Sequence, residues 1–122
     1  MDIEHLKSLA CKQIDHYSTV ITDLAKEILS NPEVGFYEYQ TSKLVKNKLK
    51  EFGIPLETEL AVTGVKGKLN GKYLGPNIGV IGELDALIVK DHPNSNSQTF
   101  SAHACGHHCQ IAMMIGLSLI HI

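Results

Sequence analysis

At Ile54 the spacing of apolar residues changes period, and no other feature constrains the fold as strongly. Before that point Ile3, Leu6, Ala10, Ile14, Tyr17, Ile21, Leu24 and Ile28 recur at steps of three and four, which lines one face of an α-helix. Asn31-Pro32 ends that helix, because proline has no N–H to give to the ladder. A turn-rich connection, "PEVGFYEYQ", leads to a second helix. Thr41 or Ser42 is its expected cap, Leu44, Val45, Leu49 and Phe52 face inward, and Gly53 stops it. Beyond Ile54, "PLETELAVTG" alternates, "VKGKL" continues, and Asn70-Gly71 marks a turn, so the stretch reads as short strands. "NIGVIGEL" is apolar with no polar face, as suits a strand buried on both sides. Residues 90–99, "KDHPNSNSQT", read as a polar loop, and Ile111 to Leu117 return to helix. This order predicts an α/β fold, a partial α/β sandwich with helices packed on a mixed, largely parallel sheet.

Composition narrows the function more than the fold. The chain has 122 residues, 43% of them hydrophobic and 20% charged, the make-up of a folded domain. A formal charge of −2, with lysines scattered along "KLVKNKLKEF" as on a solvated helix face, argues against nucleic acid or an anionic membrane as a partner. The longest apolar run, "IAMMIGLSLI", is well short of the ~20 residues of a membrane span. The amphipathic start "MDIEHLKSLACK" has no apolar core of a leader peptide. Three cysteines, an odd number, fit reduced thiols and a cytoplasmic setting.

The chemistry gathers in "HACGHHC". Its seven positions hold His103, Cys105, His107, His108 and Cys109, whereas His5, His16 and Cys11 read as ordinary residues of the first helix. Burying so many polarisable donors without a partner is costly, which points to a metal. A closed structural zinc site needs a second Cys/His pair, and a c-type haem needs Cys-x-x-Cys-His; the sequence has neither. An incomplete donor set with Glu83 and Asp85 nearby, where a strand runs out, has the look of a catalytic metal site with open positions.

"NPEVGFYEYQTSKLVKNKLKEFG", "TGVKGKL", "GPNIGVIGELDAL" and "HACGHH" follow one another in the order and spacing of the M20 metallopeptidase family. The sequence most resembles its amidohydrolase branch of N-acyl-amino-acid, indole-acetyl-amino-acid and aminobenzoyl-glutamate hydrolases, over roughly residues 1–116. The resemblance implies metal-assisted hydrolysis of a linear amide in a small N-acyl amino acid or peptide substrate. It implies two divalent ions per full-length subunit (zinc, manganese or cobalt), an inserted dimerisation domain and a homodimer. By the same resemblance Cys105 and His107 are metal ligands, with the Cys105 thiolate able to bridge two ions, and Asp85 is the catalytic-site acid that orients the metal-bound histidine. The family's general base, in a Glu-Glu pair, and its remaining ligands fall downstream of the motif and are absent from this sequence.

The sequence also departs from the branch. His108, Cys109 and Gln110 stand where Asp and a further Gly-His are usual, Glu83 replaces an aspartate, and Ile88 replaces a proline. His108 reads equally as a supporting partner, an extra ligand or a solvent-facing residue, and Cys109 as a small core residue. Residues 117–122, "LSLIHI", back-translate to a widely used sequencing-library transposon end and are read as adapter read-through. The native frame is then expected to depart at or shortly after Gly116, leaving 1–116 as the N-terminal part of a catalytic domain. Two rivals remain: a small metal-binding or interaction module that completes its site by dimerisation, and a fragment with no function of its own.

Overall fold

The computed structural model describes residues 2–121; Ile122, the last residue of the suspected read-through, lies outside them. Helix α1 spans Ile3–Ser30. Its C-terminal half carries the buried residues Leu24 and Ile28, while Ile3, Leu6, Leu9 and Ile14 stay exposed. The apolar stripe is therefore longer than the surface it packs on. Helix α2, Tyr39–Glu51, buries Thr41, Val45 and Leu49. It closes in a Schellman arrangement: Ile54 N–H donates to Leu49 O at 2.9 Å and Gly53 N–H to Lys50 O at 2.9 Å. Gly53 sits at φ +68°, where a Cβ would cost about 1–2 kcal/mol.

The start of α2 differs from expectation. Thr41 and Ser42 lie inside the helix rather than at its cap. Glu33 reaches over from the connection instead. Its carboxylate accepts the N–H groups of Gln40 (3.0 Å) and Thr41 (2.7 Å) and the Thr41 hydroxyl (2.8 Å). Two of the first turn's free donors are thereby satisfied, and a negative charge stands at the positive end of the helix.

Strands β1 (Leu56–Leu60) and β2 (Gly64–Gly67) form an antiparallel hairpin with an irregular register between Glu57 and Leu60. Its turn is Ala61–Thr63, where Ala61 (φ +46°) and Val62 (φ +88°) take left-handed conformations; Asn70-Gly71 closes no strand pair. Strands β3 (Leu87–Ile88) and β4 (Ser101–Ala102) form a second antiparallel pair around the polar loop. A single parallel bridge joins Val34 to Ala86. The chain is thus mixed α/β, with its sheet reduced to these short pieces. "NIGVIGEL", residues 77–84, forms no strand among the described residues, and Ile78 and Ile81 are 86% and 88% exposed. A strand exists only through its ladder partners. No other strand of the described chain runs beside this one.

Helix α3, His107–Leu119, buries Ile111, Ala112, Ile115, Gly116 and Leu119 and packs chiefly on α1. Leu24, Ile28, Val45, Leu49, Ile54, Ile111 and Ile115 make one core, flanked by Phe52, Leu56, Val65, Leu84 and Met114. No described helix is long and apolar enough to cross a membrane.

Candidate metal centre

Two strips of backbone build the site. Residues 32–34 hold the first: Glu33 O accepts Ala86 N–H at 2.7 Å, and the buried Ser101 hydroxyl donates to Pro32 O at 2.7 Å. The connection after α1 is thus strapped to both β3 and β4. The ladder then aligns the chemistry. Leu87 pairs with Ala102, and two residues further along that antiparallel register Asp85 comes level with Ala104. The stretch 83–85 and the run from His103 to His107 therefore arrive at one edge. Gly106, at φ +83°, turns the chain into α3.

His107 is the hub, with a side chain only 12% exposed. Its Nδ1 lies 2.8 Å from Asp85 O and 3.1 Å from Asp85 Oδ1. Both of those atoms only accept, so Nδ1 carries a proton and Nε2 carries a lone pair unless it too is protonated. That Nε2 lies 3.0 Å from Glu83 Oε2. Glu83 is itself placed: its N–H donates to Gln110 Oε1 at 3.3 Å, and Gly82 runs so close to α3 that a Cβ there would lie 3.6 Å from Ile111 N.

His103 is 5% exposed, and neither ring nitrogen has a partner among the described residues; nor does His108 Nδ1. The two rings lie 5.6 Å apart. Burial, then the neighbouring His108 and His107, push the His103 imidazole down to about 4, against a weaker upward pull from Asp85 and Glu33. Burial and His107 also lower His108. His103 is consequently neutral at pH 7 and keeps a free lone pair. Cys105 and Cys109 are exposed free thiols.

Of the residues singled out in the sequence, the fold joins Asp85, Glu83 and His107 in direct contact, sets His103 against His108, and leaves Cys105 on the exposed turn before α3. Gln110 escaped functional notice; its departure from the family pattern was the one available signal. Among the described residues no three His, Cys, Asp or Glu side chains converge on a ready-made ion site. The donor chemistry still fits part of one, with a thiol, an imidazole held by its other nitrogen, carboxylates and orphaned buried ring nitrogens. Two surface concavities lie away from these residues. The larger, about 440 Å³, is lined by α2 and hairpin residues such as Lys43, Lys46 and Thr63.

No protein-family model matches the chain, and no solved structure does. Curated relatives do. The chain is 33% identical over 118 residues to thermostable carboxypeptidase 2 of Saccharolobus solfataricus, covering 93% of this chain and 29% of that one. It is 40% identical over 84 residues to hippurate hydrolase of Campylobacter jejuni, covering 66% and 22%. It is 33% identical over 96 residues to IAA-amino acid hydrolase ILR1-like 5 of Arabidopsis thaliana, covering 76% and 22%. The chain thus spans less than a third of the length of these relatives.

Proposed function

We propose, for a chain that belongs to the M20 metallopeptidase and amidohydrolase family, that it forms the opening part of an enzyme hydrolysing an amide bond in an N-acyl amino acid or small peptide-like substrate. One observation carries the chemical reading: His107 is fixed through Nδ1 by Asp85, which leaves Nε2 as the ligating atom. A metal-ligating histidine is held in this way, its second nitrogen donating to a carboxylate or carbonyl that sets the tautomer and raises ligand basicity. Asp85 supplies both acceptors. The Cys105 thiol, as thiolate, is the second donor, and thiolate with imidazole suits zinc, cobalt or manganese. Ions bound there, two per full-length subunit, would lower the pKa of a water and polarise the scissile carbonyl. His107 and Cys105 hold; Asp85 orients. By the family resemblance, the base that moves the water's proton would lie outside this sequence, and a homodimeric cytoplasmic enzyme completes the proposal.

Assays on hippurate and an indole-acetyl amino acid, with zinc, manganese or cobalt added, test this. The 122-residue chain is expected to show no turnover above background. A version extended to the relatives' length is expected to be active, to lose activity to a chelator, and to lose at least about a hundredfold with His107→Ala. Chelator-sensitive turnover by the 122-residue chain alone would overturn the fragment reading and favour a small enzyme assembled across a dimer.

A further inference from the structure

We propose that Glu83 is a direct carboxylate ligand of the ion that His107 holds, and that Gln110 positions it. The proposal rests on the reading of His107 as a ligand and adds a residue to it. Nδ1 of His107 faces two acceptors on Asp85, so Nε2 is the atom turned toward Glu83, whose Oε2 lies 3.0 Å away. Either a proton on Nε2 or a cation shared by the two atoms accounts for so short a contact, and the two differ in what Glu83 does when an ion arrives.

The separation also suits a metal in that role. Nitrogen and oxygen ligands each sit about 2.0–2.2 Å from zinc, so neighbours at near-right to tetrahedral angles are about 2.8–3.6 Å apart. The observed 3.0 Å falls at the short end of that range, so a shared ion needs only a small adjustment of either side chain. The Glu83 side chain is 57% exposed, which leaves the position open to solvent on one side. With Cys105 on the adjoining turn, thiolate, imidazole and carboxylate would be the donors that this chain supplies, drawn together by the ion rather than standing as a ready-made site among the described residues.

Glu83 is not a stray surface acid. Its backbone N–H is tied to Gln110 on α3, Gly82 before it laps the same helix, and Asp85 after it is fixed on His107. The Gln110 amide thus holds the backbone from which the Glu83 side chain reaches Nε2.

Zinc titration into the reduced, chelator-stripped 122-residue chain decides the matter, because the two readings of the Glu83–His107 contact predict opposite signs. If Glu83 ligates, Glu83→Gln weakens zinc binding at least about tenfold and alters the visible spectrum of the cobalt complex. Gln110→Ala then weakens binding by a smaller factor. If Glu83 merely pairs with a protonated His107, it competes with the ion, and Glu83→Gln leaves binding unchanged or tightens it. That result overturns the proposal. Circular dichroism of each variant confirms that it is folded. The paired control is Cys105→Ser with His107→Gln. If this control abolishes binding while Glu83→Gln does not weaken it, only the role of Glu83 falls. If the parent binds no zinc, or the control binds as tightly as the parent, the metal reading falls and the Glu83 assignment with it.

Discussion

Glu33 shows how much one side chain organises here. Its carboxylate caps α2 while its backbone carbonyl fixes Ala86, so one residue couples the start of a helix to the strand beside the candidate centre. Removing a helix cap costs about 0.5–2 kcal/mol. Glu33→Ala should fall near the top of that range, since three hydrogen bonds go at once, and urea unfolding would read it as a lower midpoint with an unchanged slope. Glu33→Gln keeps one acceptor oxygen and should lose roughly half as much. A second carboxylate, Glu38, accepts the Thr63 hydroxyl at 2.8 Å in a buried contact that pins the hairpin turn to α2. None of this was legible from local pattern. A cap seven or eight residues ahead of its amides lies outside the short motifs that announce helix starts, which is why Thr41 and Ser42 looked like caps. Asp85 and His107, by contrast, stood out through the resemblance, although the contact between Glu83 and Gln110 needs the folded backbone to bring two distant positions together.

Among elements, the helices and the hairpin strands β1 and β2 were legible and the expected buried strand was not, for a physical reason. Helix-period spacing reports a face, and each of the three helices has a neighbour within the chain to bury it. An unbroken apolar run reports a strand on either side, and "NIGVIGEL" has no strand beside it in the described chain, so its pattern outruns its surroundings. The hairpin turn was misplaced because Ala61 and Val62 adopt left-handed conformations that neither residue type advertises. The crossing of α1 and α3 turns on Gly116, where a Cβ would lie 2.8 Å from Ile21 Cδ1. That atom ends a flexible side chain, so a methyl can be accommodated by an Ile21 rotation, and gained helix propensity offsets the strain. Gly116→Ala should therefore stay within about 1 kcal/mol of the parent. Gly116→Leu should destabilise by about 1–3 kcal/mol, because overpacking must push whole helices apart. Chemical denaturation of the pair would show the step between them; equal midpoints would mean the crossing is looser than the distances indicate.

At the scale of the whole molecule, one small core carries three helices and a hairpin, and much of the remaining apolar surface faces water. Leu74, Ile78 and Ile81 lie along one exposed segment, and the first half of α1 extends past everything that packs on it. Stability is therefore distributed unevenly. An unsupported run of four helical turns is marginal in water, whereas the turns around Leu24 and Ile28 open only when the core does. Amide hydrogens read this difference as time. Those before Tyr17 should exchange with deuterium at nearly the rate of a free peptide, protection should climb over the next two turns, and amides near Ile28 should wait for global unfolding. The single helix would then keep two clocks, with the changeover where its stripe first meets α3.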